Sequence, residues 1–445
     1  MDIPVREHHQ QLNTMSESAF PLDELSHSIT KNAGIVSQFL TAHHLPQPSF
    51  NSDGPSVVLP TGSPQSVHEA RENLIAAALE ILHLAVGPSE FLPHLATGFQ
   101  YISCLHWLCQ FDVFRLVPLN ETISYADLAA VAHVPEQRLK SIVRMAMTNF
   151  LFREHPDGRK VGHSATSALL ARNEDVHAYA LYMSARTARC AIEMAPAHQK
   201  WGAGSTRTYE TAFNLAYHTD LPFFEFLSRN EAFMADFAQY MRNVRSSEGV
   251  DIKHLVGGYA WQDIPDGGMV VDVGGSTGTS AIALAKAYPH LTFTVQDLPA
   301  NTENGVKAAE ALPADITTRI TFQAHDFTHP QPVQGANAYL LRMILHDWSD
   351  AEATTILKHI VTAMDRTRSR LLIMDTVLPK PGSVPVSEER IMRARDLTMM
   401  QAFNSKERDL EDWKELFAAA DRRLQLVKVS QPFGSAMSVL ELVLA

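Results

Sequence analysis

Four short runs hold the residues that could do chemistry. The first is Asp272-Val273-Gly274-Gly275-Ser276-Thr277-Gly278, which follows the apolar run MVVDV and leads directly into TSAIALAKAYP. Glycines are needed where a chain turns sharply and a ligand approaches the backbone, and a helix start offers unpaired N–H groups. The register is D-x-G-x-S-x-G rather than the G-x-G-x-x-G of a dinucleotide site. Gly274, Gly275, Ser276 and Gly278 therefore suit a nucleoside carrying an amino-acid tail, with Asp272 orienting the loop and the ammonium group of that tail. The second run, Gln296-Asp297-Leu298-Pro299, ends LTFTVQ, so the Asp297 carboxylate is placed to accept two ribose hydroxyls. The third, His325-Asp326-Phe327, offers adenine a hydrogen bond and an apolar edge. The fourth is Leu345-His346-Asp347-Trp348, after AYLLR. His346 is one of 21 histidines, but it follows a strand and so lies at the sheet edge where open α/β proteins bind ligands. An imidazole there can take a proton from a hydroxyl, and a carboxylate on its other nitrogen would fix the tautomer.

These runs need elements to position them. From Met269 onward, short β-branched or apolar segments (MVVDV, LTFTVQ, ITFQAH, AYLLR, RLLIMD) alternate with helices, which predicts a parallel α/β sheet. LQLVKV and MSVLELVLA close the chain and predict an antiparallel hairpin at its edge. Upstream, residues 1–20 read as disordered. Residues 21–66 read as a helix (about Leu22 to His43) followed by a Pro/Ser/Gly-rich linker. Residues 67–250 read as helical, with stretches around Val67–Val86 and Phe99–Phe111. Between about 119 and 170, ISYADLAAVAHV predicts one helix and PEQRLKSIVRMAMTNFLF a second with Pro135 in its first turn. REHPDGRKVGHS predicts a hairpin turning at Asp157-Gly158, which completes a winged-helix pattern. Residues 251–445 form the α/β domain.

Composition limits the function. Hydrophobic content of 45% and charged content of 19% are ordinary for a globular protein, and a net charge of −12 argues against nucleic acid as a partner. Three cysteines cannot build a disulfide framework, which predicts a reducing compartment, the cytoplasm. The apolar stretch Leu74–Val86, interrupted by Glu80 and His83, is shorter than the roughly 20 residues of a membrane span, so no membrane association is expected. The C-x-H-x-x-C spacing of Cys104, His106 and Cys109 sits in an apolar helix without a common face and predicts core packing; no metal site is expected.

VVDVGGSTG, VQDLP, HDF, LLRMILHDWSD, IMDTVLP and DLTMM with SKERDLEDW, in this order, resemble the plant-type and fungal S-adenosylmethionine-dependent O-methyltransferases, the caffeate, flavonoid and polyketide enzymes. The resemblance covers about residues 65–445. It implies a Rossmann-like methyltransferase domain, preceded by a helical, winged-helix dimerisation domain, and a homodimer. It implies His346 as catalytic base bracketed by Asp375 and Glu407, Asp297 at the ribose, Asp326 and Phe327 at the adenine, Arg342 as a basic cofactor contact, and Trp348 beside the adenine. It also implies S-adenosyl-L-methionine as cofactor and a small-molecule hydroxyl as acceptor, phenolic or enolic, from aromatic or polyketide-type secondary metabolism. Where plant enzymes often have Gly-Gly before KER, this chain has Asn404-Ser405, which changes the local loop. Met399, Met400, Phe403, Phe233 and Met234 are candidates either for an apolar substrate pocket or for ordinary helix core. Some relatives keep the cofactor and catalyse pericyclic reactions instead; retention of His346 favours methyl transfer.

Overall fold

The computed structural model describes residues 20–445; apart from Phe20, the expectation for residues 1–20 lies outside that range. The chain divides into two compact units. One extends to Ala188 and takes back Pro379–Arg393; the other comprises Arg189–Leu378 and Ala394–Ala445.

In the first unit, the helix Pro21–Ala42 opens with a proline and with Asp23 and Glu24 in its first turn, which suit a helix N-terminus. Its Val36 and Leu40 pack on Val67 and Ala70. The expected helical stretches around Val67–Val86 and Phe99–Phe111 are present as two helices that meet at Gly87 within the span Gln65–Gln110; Gly87 itself is non-helical, with a left-handed φ of 65°. Gly87 tolerates that conformation and Pro88 lacks the N–H that a continuous ladder would need. Among the described residues, the span Gln65–Gln110 is long and apolar enough to cross a membrane by length and composition. The apolar stretch Leu74–Val86 is only part of that span. Strand β1 (Ile123–Ser124) precedes the helix Tyr125–Val131, capped by Ser124, whose side chain accepts from the N–H of Asp127. Pro135 is not in the first turn of the next helix, Glu136–Met147. It is the cap residue itself, with an extended backbone (ψ 131°). Strands β2 (Arg153–Glu154) and β3 (Lys160–Gly162) form the expected hairpin, and β1 joins them in the order β1-β3-β2. Leu108, Phe114, Tyr125, Leu139, Val143 and Phe152 fill the core of this unit.

The second unit is built on strands β4 (Met269–Val273), β5 (Thr292–Asp297), β6 (Ile320–Ala324), β7 (Ala338–Arg342), β8 (Arg370–Asp375), the two-residue strands β9 (Val377–Leu378) and β10 (Arg408–Asp409), β11 (Leu424–Ser430) and β12 (Ser438–Leu444). Seven form one sheet in the order β11-β12-β8-β7-β4-β5-β6. β4 to β8 are parallel, and β12 runs antiparallel to both β8 and β11. The central strands are apolar on both faces because both faces are covered. Val271, Leu341, Leu371 and Ile373 enter one core, while Val270, Leu340, Leu372 and Met374 enter the other. The chain winds outward from β4 in one direction through β5 and β6 and in the other through β7 and β8. The switch point therefore lies between β4 and β7, where the carboxyl ends of the strands leave a crevice.

Residues 189–250 join this unit, so its boundary falls at Ala188/Arg189 rather than near residue 250. An aromatic cluster accounts for this. Phe213, Phe226 and Phe233 pack edge-on with one another, and Phe223 lies 5.1 Å from Phe403 of the helix Val386–Phe403. Leu340 tests the sheet core. Leu340→Ala should lower unfolding free energy by about 2–5 kcal/mol, read as a lower denaturant midpoint at unchanged slope.

Candidate active site

At the end of β4, Asp272 is buried and its Oδ2 has no hydrogen-bond partner. Burial pushes its carboxyl up to about 7, opposed by the backbone N–H of Ala281 and by Arg342. The loop beyond it requires glycine. Gly274 has φ +74° and a Cβ there would stand 2.6 Å from Ile344 Cδ1; a Cβ on Gly275 would stand 2.6 Å from the Asp272 carboxyl. Gly278, at φ +81°, caps the helix Thr279–Ala287 without a side-chain acceptor, leaving that helix start to a ligand. Ser276 is also left-handed, at φ 53°, and its N–H donates to Asp297 Oδ2 at 2.7 Å. Oδ1 of Asp297 accepts from the Leu298 N–H at 2.8 Å and from Asn301 Nδ2 at 2.7 Å. The ends of β4 and β5 are thus tied together by one carboxylate. Asp326 accepts from the N–H and hydroxyl of Thr328 at 2.9 and 2.7 Å. Phe327 lies against Gly274 and meets Trp348 edge-to-face at 5.4 Å. Arg342, at the end of β7, donates to the Val250 carbonyl while its Nε is buried without a partner. Burial lowers its pKa, Arg245 adds to the effect, and Asp272 and Asp375 oppose it. A buried carboxylate with one oxygen unpartnered, a glycine cradle with no room for a Cβ and a half-buried aromatic pair fit a nucleoside with an amino-acid tail.

The second centre is a short turn, Leu345–Asp347, entered through Met343, a non-glycine residue at φ 57°. His346 is 8% exposed. Its Nδ1 is 3.0 Å from Glu407 Oε1 and 3.5 Å from Asp375 Oδ1; its Nε2 is 3.6 Å from Asp347 Oδ1. Only the contact with Glu407 has hydrogen-bond length. The ligand atoms of His346, Asp375 and Glu407 lie within 4.8 Å of one another, a spacing a cation could use; a proton on Nδ1 serves the short contact to Glu407 equally. Burial opposes a charged ring, yet Asp375, Asp347 and Glu407 together outweigh it and hold the His346 pKa well above its usual value. Burial pushes the Asp375 carboxyl up, with His346 opposing. Burial acts in the same sense on Glu407, but His346 overcomes it and the carboxyl is lowered. Glu407 is thus the ionised partner of the ring. Asp347 is pushed by burial up to about 7.

The segment Asn404–Arg408 holds this turn. Ser405 Oγ stands 2.6 Å from the His346 carbonyl and 2.8 Å from that of Trp348. Arg408, fully buried, donates to the carbonyls of Leu345 at 2.7 Å and Trp348 at 2.9 Å and to Asp350 at 2.8 Å. β10 pairs with β9 in parallel, Arg408 opposite Val377, which brings Glu407 beside the end of β8. Asn404 takes φ 52° and its amide donates to the carbonyls of Arg207 and Glu210 at 2.8 and 3.1 Å. Asn and Ser therefore fulfil what Gly-Gly would leave to backbone flexibility alone. Neither the Ser405 contacts nor those of Arg408 to residues 345 and 348 are visible in the sequence, because they go to main-chain carbonyls.

The structure separates the other candidates. Met399 and Phe403 are buried and Met400 half-buried on the helix Val386–Phe403. Phe233 is buried in the aromatic cluster, whereas Met234 is exposed. Cys104 and Cys109 lie in the apolar core of the first unit, where burial raises both thiols.

Comparison with known proteins gives this geometry its class. The model of the O-methyltransferase domain family matches residues 199–422, and the chain belongs to that family. It is 66% identical over 432 residues to O-methyltransferase pgmB of Aspergillus terreus, covering 97% of this chain and 98% of the relative. It is 45% identical to O-methyltransferase aurJ of Gibberella zeae, covering 94% and 96%. Among solved structures, OxaC in complex with sinefungin and meleagrin has a TM-score of 0.74 at 23% identity, covering 95% of this chain and 99% of that one. LepI in complex with S-adenosylmethionine has 0.71 at 22%, covering 94% and 100%. The enzyme is an S-adenosylmethionine-dependent O-methyltransferase of the fungal rather than the plant branch. Gly275→Ala should weaken S-adenosylhomocysteine binding about tenfold or more, measured by calorimetry, with the circular dichroism spectrum unchanged.

Proposed function

We propose that His346 is the general base that deprotonates a phenolic or enolic hydroxyl of an aromatic, polyketide-type metabolite. The observation that carries this reading is the pairing of His346 Nδ1 with the buried Glu407 carboxylate, which leaves Nε2 as the nitrogen free to take a proton. The Asp272 carboxylate and the Gly274–Gly278 loop would hold the amino-acid tail and sugar of the cofactor, with Asp297 and Leu298 at the ribose. Asp326, Phe327 and Trp348 would flank the adenine, and Arg342 would stand beneath the tail. Bound there, the cofactor supplies an electrophilic methyl group. The protein's task is to present an oxygen about 3 Å from that carbon with its proton already leaving. Glu407 stabilises the imidazolium that results, and Asp375, close to the same ring edge, adds to the negative field. Met399, Met400 and Phe403 are the side chains we assign to the acceptor's apolar surface. Free buried cysteines fit a reducing compartment, and we place the reaction in the cytoplasm.

We further infer a homodimer through the span Gln65–Gln110. Beyond the break at Gly87, Phe91, Leu92, Leu95 and Phe99 are exposed and recur at helical spacing, an apolar face of the kind a second copy would cover. Leu92→Glu with Leu95→Glu should shift the protein to monomer in analytical ultracentrifugation; an unchanged sedimentation coefficient would place the dimer contact elsewhere.

His346→Ala should lower turnover by about two to four orders of magnitude, read as labelled methyl transfer to aromatic polyketide acceptors, with the S-adenosylhomocysteine dissociation constant within about twofold of wild type. A base with a raised pKa is unreactive until pH climbs through that value. The acidic limb of kcat/KM should therefore lie above the 6.5 of a free imidazole. It should move to lower pH in Glu407→Gln, which removes one of the carboxylates that hold the proton on. An acidic limb that stays in place would exclude His346 as the titrating base.

A further inference from the structure

Asp297 is already more heavily bonded than the ribose assignment allows. An ionised carboxylate carries about four lone-pair sites, shared between its two oxygens. Oδ1 accepts from the Leu298 N–H at 2.8 Å and from Asn301 Nδ2 at 2.7 Å, and Oδ2 accepts from the Ser276 N–H at 2.7 Å. Among the described residues this leaves about one site, on Oδ2, whereas a ribose offers two hydroxyls. One protein donor therefore has to give way. Ser276 and Leu298 donate from the main chain, the first at a left-handed loop position and the second at the residue next to Asp297 itself. Asn301 donates from a side chain, which can turn about its own bonds while the backbone stays in place.

Asn301 also has a second partner within reach. It is the third residue of the helix Pro299–Ala309, whose cap residue is Leu298. A side-chain oxygen at that position can reach back to the N–H of the cap residue, as in a capping box. The same chain shows an asparagine doing so. Asn214, the third residue of the helix Ala212–Ala216, accepts through Oδ1 from the N–H of the cap residue Thr211 at 3.1 Å. Turned in that way, Asn301 would take the Leu298 N–H, and both donors now on Asp297 Oδ1 would leave it together.

We propose that Asn301 is a positioning residue that competes with the cofactor for Asp297, holding Oδ1 until two ribose hydroxyls displace it to the Leu298 N–H. This rests on the assignment of Asp297 to the ribose. The exchange keeps the carboxylate matched with and without a nucleoside, at a cost in affinity for the nucleoside, because a charge-assisted bond is given up when it binds. A sugar with one hydroxyl needs only the site on Oδ2 and displaces nothing. Asn301 therefore acts on the two-hydroxyl sugar and not on its deoxy forms.

The test is calorimetric binding of S-adenosylhomocysteine and of its 2′-deoxy and 3′-deoxy analogues to wild type, N301A and D297N. N301A removes the competing donor and leaves the main-chain ones, so it should bind S-adenosylhomocysteine about threefold or more tighter than wild type. Each deoxy analogue should bind N301A and wild type with dissociation constants within about twofold of each other. Thermal melting of both variants reports an intact fold. Unchanged or weaker binding of S-adenosylhomocysteine by N301A overturns the proposal. An equal gain for the deoxy analogues overturns it too, since that is what a general change in the helix would give. D297N should bind S-adenosylhomocysteine about tenfold or more weakly than wild type. An unaltered affinity there overturns the ribose assignment, and the proposal with it, whereas a weakened D297N beside an unimproved N301A overturns the competition alone.

Discussion

Everything at the reacting centre depends on one contact, the 3.0 Å bond between His346 Nδ1 and Glu407 Oε1, made out of reach of water. A buried carboxylate is tolerated only beside a matching charge or donor, and a buried imidazolium only beside carboxylates. Each therefore fixes the other's protonation, and the pair determines which ring nitrogen faces the acceptor. The two residues come from distant parts of the chain, so the surrounding fold must hold a side-chain geometry to a few tenths of an ångström. It does so through elements of different character. β7 and β8 deliver His346 and Asp375 to the same edge of the sheet, and the two-residue pairing of β9 with β10 delivers Glu407.

The cofactor half of the site works by a different economy. There the backbone is the recognising surface: left-handed glycines, a helix start and one aspartate that bonds two loop amides. The Asp297 carboxylate already meets three donors, from Ser276, Leu298 and Asn301, so the loop keeps its shape whatever occupies it. Asp272 is the opposite case, an acid kept partly protonated by burial. Of the carboxylates at these successive strand ends, that of Asp297 meets three donors, whereas Oδ2 of Asp272 meets none.

The central strands β4, β7 and β8 were legible because they are buried on both faces and read as nearly unbroken apolar runs, and the closing hairpin because its runs are long. β1, β9 and β10 were not, since two residues carry no periodicity. Gly87-Pro88 is a stop signal legible in the sequence, and the two helical stretches expected on either side of it are present. At the site, Asp272, Asp297, Asp326 and the loop glycines were singled out by their positions after strands, whereas Glu407 entered only through the family resemblance. The side of the ring on which Asp347 stands was not, because adjacency in sequence does not fix direction around a short turn. The Asn404-Ser405 departure was visible, but its meaning was not: the left-handed backbone of Asn404 and the carbonyl contacts of Ser405 exist only once residues far apart in the chain meet.

The grip of Ser405 and Arg408 on the His346 turn is entirely on main-chain oxygens, those of residues 345, 346 and 348. A clamp that reads backbone is indifferent to what the side chains at the turn's edges are. The base can then stay in register while neighbouring positions drift, and new acceptors can be explored by substitution around a reacting centre that does not move.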